Sequence, residues 1–254
     1  MSTVDFDIAD DVATIRLNRP ESLNAMNDDM LLRDLPGAVE ECARAARVIV
    51  VAAAGTTFCA GADLAQASAW NLREESEAVQ WVREACRAAR LLLNSPVPTI
   101  AAVDGHAVGG GFGLAAACDL RIVGPSAQFW APFVSLGLVP DFGLTYSLPR
   151  IVGPSRALDI LVTGSRVSAT EAQAMGLATR ISPEPEAAAT QLAHEIAALS
   201  PGAVAGTRAN MWAGLRVDAA TEIDDYEAVV QGRLLVSEDV RNRVRGYRAQ
   251  VKEG

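Results

Sequence analysis

The sequence predicts an α/β fold with a helical C-terminal appendage, and three observations carry that expectation. Apolar strands of the kind buried on both faces of a sheet, "VIVVAAAG" (48–55), "TIAAVDG" (99–105) and "LRIV" (120–123), alternate with stretches of helical spacing. Half of the 254 residues are hydrophobic and 21% are charged, which suits one large core and argues against disorder. Beyond about residue 186 the strand pattern disappears and helical spacing continues to about residue 246.

The elements follow in order. "VDFDI" and "VATIRL", joined by a turn-like "ADD", predict a β-hairpin. Residues 27–47 predict a helical region, with Asn27 as N-cap, two aspartates in the first turn, and an interruption or restart at Pro36. Residues 72–94 predict a helix in which Val79, Val82, Cys86, Ala89 and Leu93 keep a 3–4 spacing. A short helix, "FGLAAACD", precedes the strand "LRIV". After Ala127 the pattern turns to short helices, one of them opened by a capping box of Ser168 and Glu171, and "ATRIS" adds a last strand.

Composition excludes several function classes. The net charge of −9 argues against a nucleic-acid partner, because a phosphate-tracking surface needs clustered positive charge. No apolar run is long enough to cross a bilayer, and the N-terminus has no signal-peptide pattern, so a cytoplasmic protein without a membrane partner is expected. The 21 arginines stand beside one lysine, Lys252, which argues against Schiff-base chemistry. Cys42, Cys59, Cys86 and Cys118 lack metal or redox spacing and read as reduced, mostly buried thiols. His106 and His194 have no E-x-x-H context, so no metal site is expected, and no G-x-S-x-G is present. Gly111, Gly113 and Ala116 fit G-x-G-x-x-A, but the helix that follows is too short for a dinucleotide-binding crossover.

Two stretches share a design. "VIVVAAAGTTFCAGADL" and "TIAAVDGHAVGGGFGLA" each run from a buried strand through a loop to small residues that open a helix. Helix starts offer free backbone N–H groups, and residues without bulk let a ligand reach them. If the two strands are parallel neighbours, the loops share one sheet edge, and two converging amides would form an oxyanion hole. Tight turns that need glycine for backbone reasons explain the same pattern.

A third stretch, "VSLGLVPDFGL" (134–144), holds one acid, Asp141, among apolar residues and glycine. Val139, Phe142 and Leu144 would desolvate its carboxyl and raise its pKa toward neutrality, which suits proton transfer. A Pro-Asp-x-Gly turn capping the helix "LTYSLPR" is the competing reading. Asp119 is explained by a helix end or strand start, and His106 by loop spacing.

Six ordered segments, "LNRPESLNAMN" (17–27), "FCAGADL" (58–64), "HAVGGGFGLAAACDLRI" (106–122), "GLVPDFGLTYSLPRIVG" (137–153), "SATEAQAMGLATRI" (168–181) and "SEDVRNRVRGYRAQ" (237–250), resemble the enoyl-CoA hydratase/isomerase (crotonase) superfamily over nearly the whole chain. The resemblance implies a crotonase-like spiral of ββα units over residues 1–200 that binds acyl-CoA. It implies a helical oligomerisation region over 201–254, giving a homotrimer or a hexamer built as a dimer of trimers. It implies an acyl-CoA thioester as substrate and no cofactor. It places the oxyanion hole at the N–H groups of Ala62 and Gly110, and CoA and substrate contacts at Leu23, Ala25, Ala60, Asp63, Leu64 and Ala65. Trp130, Phe133 and Phe142 could line an acyl pocket, or simply pack in the core.

The sequence departs from the hydratases at the two positions where they carry glutamates, which here are Gly113 and Phe133. Hydration needs one group to activate water and another to protonate carbon. The remaining acid is Asp141, and the pattern is closest to the ring-epoxide (1,2-epoxyphenylacetyl-CoA) isomerase-like branch. The histidine that dehalogenases of the superfamily use falls near Cys86. The expected activity is an acyl-CoA isomerase in which Asp141 is the single acid/base; the alternatives are an enoyl-CoA hydratase and a catalytically inactive acyl-CoA-binding protein.

Overall fold

The computed structural model describes residues 2–65, 72–215, 226, 228–235, 237–240 and 242–243. Strands β1 (Val4–Ala9) and β2 (Val12–Leu17) form the expected hairpin, paired antiparallel from Val4↔Leu17 to Ala9↔Val12. Asp10 and Asp11 both take positive φ, 49° and 65°, as a two-residue turn matched to strand twist requires. Strands β3 (Val48–Ala53), β4 (Thr99–Val103), β6 (Leu120–Val123) and β9 (Arg180–Ile181) extend this sheet in parallel, in the order β1-β2-β3-β4-β6-β9.

The continuous apolar strands have covered faces on both sides. Ile49, Val51, Ala101 and Val103 belong to a large core with α1 (Leu35–Ala45), α3 (Arg87–Leu93) and α4 (Gly110–Ala117). Val48, Val50, Ala52, Ile100 and Ala102 pack instead with Ala189, Leu192 and Ala193 of α8 (Pro185–Ala197). Alternate residues of one strand thus enter different cores, so no polar face remains to show a period of two.

Several local expectations are refined. Asn27 Oδ1 accepts the Met30 N–H at 3.1 Å, as an N-cap does. Pro36 restarts the helix through a π-helical turn, Met30–Asp34, in which the Leu35 N–H reaches Met30 O. The helix expected over 72–94 is two, α2 (Glu75–Ala85) and α3, hinged at Cys86. Val79 and Val82 are 42% and 43% exposed, whereas Ala89 enters the core and Cys86 and Leu93 pack against it as expected, joined by Ala85, Ala88 and Leu92.

After Ala127 the structure has the strand expected in "ATRIS", as β9, and adds strands that the short-helix reading missed. Strands β5 (His106–Val108), β7 (Gln128–Trp130) and β8 (Arg166–Ser168) form a second sheet in the order β5-β7-β8. Three residues per strand are too few to display periodicity. Helices α5 (Leu144–Val152), α6 (Pro154–Thr163) and α7 (Ala169–Ala174) intervene, and Ser168 and Glu171 make the capping box at α7. The C-terminal part contains α9 (Pro201–Gly214) and a helix at Ala228–Leu235. Residues 216–225 of the expected helical region, most of the 237–250 segment, and Lys252 lie outside the described residues.

Two arginines join these layers. Arg121 is 4% exposed and donates to the carbonyls of Cys118, Asp119 and Leu177, closing the C-terminal end of α4. Arg208 of α9 pairs with Asp119 at 2.7 Å, while Asp119 also accepts the Thr99 N–H and the Trp212 indole N–H. Asp119 is therefore the strand-start residue expected, and also the anchor of α9. Among the described residues, no helix is long and apolar enough to cross a membrane.

Candidate functional site

Strands β3 and β4 are parallel neighbours, so the loops that leave them share one sheet edge. The loops are laced together. The Cys59 N–H donates to His106 O at 2.9 Å and the Val108 N–H to Cys59 O at 2.9 Å. A Cβ on Gly61 would stand 2.8 Å from Val108 O, so only glycine permits this approach. Gly61 has φ +89° and Gly109 φ +55°, and each directly precedes an expected oxyanion-hole residue, Ala62 and Gly110. Each glycine reorients the peptide that follows it. Gly110 opens α4, where no earlier turn can accept its N–H. Among the described residues, neither the Ala62 nor the Gly110 N–H donates to a protein acceptor. His106 is exposed at the start of β5 and serves this lacing through its carbonyl.

The loop after β2 locks onto the same turn. Met26 N–H donates to Gly61 O at 2.7 Å, and Asp63 N–H to Met26 O at 2.9 Å, so Ala62 is held from both sides. Ala60 N–H donates to Leu23 O at 3.0 Å. Beneath this double loop Arg19 pairs with Asp63 at 3.0 Å, with both side chains about one-tenth exposed, and also donates to Ala25 O. Asn24 donates to the carbonyls of Ala54 and Thr57 and accepts the Arg19 N–H, all at 2.8 Å. Asp63 Oδ1 accepts the Ala65 N–H at 3.1 Å, so the Asp63 side chain is turned inward. Leu23 and Leu64 are exposed, at 53% and 64%.

The loops open into a cavity of about 590 Å³. Its wall brings together Ala60, Ala62, Leu64, Gly110, Trp130, Phe133, Asp141 and Phe142, all singled out in the sequence. Leu23, Ala25, Asp63 and Ala65 lie outside that wall. Trp130 is fixed by its indole N–H on Gly164 O at 2.8 Å and by the Arg166 guanidinium 4.6 Å from its ring centre. The sequence reading missed other lining residues, which include Met26, Leu31, Ala78, Trp81, Val82 and Ala85. The signal was present, since the last four keep helical spacing, but apolar residues on a helix read first as core.

Asp141 enters this cavity from the turn before α5. Phe142 takes a left-handed φ of 51° and the Leu144 N–H donates to Asp141 O at 2.9 Å. No side chain caps α5, and Gly143 occupies its N-cap, so the competing reading of Asp141 as a helix cap does not hold. Burial pushes its carboxyl up to about 6, with its own backbone N–H opposing slightly. The desolvating neighbours are Phe142 and Leu144, 3% and 0% exposed; Val139, expected among them, is 81% exposed at the cavity rim. Beside Asp141 lies Cys86, whose thiol is pushed up to about 11 by burial and by the Asp141 charge.

The two positions without glutamate are also explained. A Cβ on Gly113 would stand 2.4 Å from Phe142 Cβ and 3.3 Å from Asp141 O, so the turn that carries Asp141 fills that space. Phe133 is 8% exposed, with its ring against the Gly109 turn. Among the described residues, no group of three or more His, Cys, Asp or Glu could hold a metal ion.

The arrangement can hold a developing oxyanion on two amides and move a proton with one carboxyl in an apolar enclosure. Comparison with known proteins agrees with this architecture. The short-chain-enoyl-CoA hydratase of Clostridium acetobutylicum is 32% identical over 240 residues, 93% of this chain and 90% of that protein. The enoyl-CoA isomerase/hydratase fer4 of Mycosarcoma maydis is 31% identical over 248 residues, 93% of this chain and 89% of that protein. Among solved structures, the enoyl-CoA hydratase of Bacillus anthracis superposes with a TM-score of 0.88 at 31% identity, covering 99% of this chain and 96% of that one. A candidate enoyl-CoA hydratase of Thermobifida fusca YX, solved in complex with acetoacetyl-CoA, superposes with a TM-score of 0.86 at 31% identity, covering 92% and 95%. The crotonase-like α/β fold expected from the sequence is the fold observed. The family described as enoyl-CoA hydratase/isomerase matches residues 7–253, and with the laced glycine turns and this fold it establishes that the chain belongs to the enoyl-CoA hydratase/isomerase family.

Proposed function

We propose that the protein is an acyl-CoA isomerase that uses Asp141 as its single acid/base. The observation that carries this reading is the pairing of Asp141 with Gly113. Asp141 is the one ionisable side chain among the described residues of the cavity wall, and the turn bearing it occupies the space a second carboxylate at 113 would need. The thioester substrate is inferred from the family and from the Thermobifida fusca relative that holds acetoacetyl-CoA.

In the reaction so inferred, the thioester carbonyl rests on the Ala62 and Gly110 amides. The Asp141 carboxylate takes a proton from the carbon next to the carbonyl. The electron pair moves onto the thioester oxygen, where two aimed donors in a dry site stabilise it by several kcal/mol. The same carboxyl, now protonated, returns the proton to the far carbon of the dienolate, and the double bond moves by one position. No atom is gained or lost, and one acid suffices. A ring rearrangement of the kind expected for the ring-epoxide branch would use the same acid and the same hole.

Hydration is the second reading, because the Clostridium acetobutylicum relative is named a hydratase. It would require Asp141 alone to manage both the water and the carbon. The test is a paired assay of wild type and Asp141→Asn. Double-bond migration is followed by NMR in deuterated buffer on a 3-enoyl-CoA, and hydration by loss of the crotonyl-CoA absorbance. The isomerase reading expects migration that Asp141→Asn abolishes. Rapid hydration with no migration, or full migration in the Asn variant, overturns it.

A further inference from the structure

The lining of the cavity indicates what kind of acyl group the site takes, an inference that rests on the site binding an acyl-CoA. Helix α2 gives the lining Ala78, Trp81, Val82 and Ala85 along one stripe. Polar atoms elsewhere in the wall are already committed. The Trp130 indole N–H is on Gly164 O, and the Ser135 hydroxyl donates to Pro132 O at 2.7 Å. Among the described side chains of the wall, Asp141 is the one that is ionisable, and the reaction uses it together with the two amides.

A charged or hydroxylated acyl group would lose water in this cavity without a partner, which is costly. A hydrocarbon loses nothing polar and gains about 0.8 kcal/mol for each buried CH₂. Space is ample: about 590 Å³ equals roughly twenty waters at ~30 Å³ each. The size limit on this wall is set where α2 carries its smallest residues. Ala78 is half-buried and Ala85 is 3% exposed, one turn on either side of Trp81. A leucine at either position would take up room in the cavity that Ala78 and Ala85 line.

We propose that the acyl group is an uncharged hydrocarbon bulkier than a butyryl chain, either a longer chain or a ring, and that Ala78 and Ala85 set that preference. Binding of saturated thioesters tests this apart from the reaction, since they cannot be turned over. Affinities of butyryl-, octanoyl-, 3-phenylpropionyl- and succinyl-CoA are measured by calorimetry on the wild type, Ala78→Leu and Ala85→Leu. Octanoyl- and 3-phenylpropionyl-CoA are expected to bind at least about tenfold tighter than butyryl-CoA, and succinyl-CoA at least about tenfold weaker, as apolar burial and charge desolvation require. Ala78→Leu, at a half-buried site that tolerates bulk, is expected to collapse the octanoyl-to-butyryl ratio toward unity. A wild type that binds butyryl- and octanoyl-CoA equally, a succinyl-CoA affinity equal to that of butyryl-CoA, or an unchanged ratio in a folded Ala78→Leu overturns the inference. If the size preference appears but no double bond moves in the paired assay, the acyl assignment stands and the isomerase reading fails. If double bonds move without any size preference, the reverse holds.

Discussion

Gly113 and Phe142 share one van der Waals space: the Cβ that Gly113 lacks would stand 2.4 Å from the Cβ of Phe142. Gly113→Ala is therefore expected to lose about 1–3 kcal/mol of stability by overpacking, read as a lower midpoint in chemical denaturation. Gly113→Glu should not gain hydration, because the new side chain displaces the turn that carries Asp141. Crotonyl-CoA hydration above the wild-type rate in the Glu variant would contradict that account.

Asp141 binds its proton more tightly in the folded chain, at about 6, than in the unfolded chain, near 3.8. Between those values the native state holds more protons, so stability falls as pH rises through this window and the cost is complete above about 6. Asp141→Asn is expected to be more stable than wild type at neutral pH by roughly 2–3 kcal/mol, with the advantage vanishing below about pH 4. Denaturation curves at several pH values check the sign.

The same carboxyl governs the rate profile. As a base it acts ionised, so kcat/KM should rise with pH to a plateau just above about 6. A profile that is flat from pH 5 to 8 would remove Asp141 from the chemical step.

Arg19→Leu breaks the buried Arg19–Asp63 ion pair and is expected to cost about 3–5 kcal/mol. Because the pair lies under the turn holding Ala62, kcat should fall as well as stability. Adding Asp63→Asn to Arg19→Leu should restore part of the stability, measured as non-additivity in a double-mutant cycle.

Arg208→Ala should loosen α9 from the sheet, since Arg208 joins Asp119 to the carbonyls of Leu92, Leu93 and Ser95. A loss of about 3–5 kcal/mol is expected, with faster hydrogen exchange in α9 than in β3.

Much of the fold is legible because each long element carries its own signal. Strands β3 and β4 are apolar throughout since two cores claim alternate residues, and the Ser168–Glu171 box is a local motif that needs no tertiary context. Strands β5, β7 and β8 are not legible, because three residues hold no period and their pairing is long-range. At the site, the glycines before Ala62 and Gly110 announce themselves through what only glycine can do. The α2 wall does not, because a cavity and a core ask for the same side chains. Val139 shows the limit of reading burial from apolar neighbours: beside Asp141 in sequence, it stands at the rim.

The cysteines have a use that their inertness creates. Cys42 lies in α1, Cys59 in the laced loop, Cys86 at the α2–α3 hinge, and Cys118 at the end of α4. Burial pushes their thiols up to about 11 or 12, so almost no thiolate exists at neutral pH until the chain around a given sulfur opens. Each sulfur is then a timer for its own part of the molecule. The rate at which a disulfide reagent labels it, resolved site by site in a mass spectrometer, reports how often α1, the amide-bearing loop, the α2–α3 hinge and the end of α4 come apart.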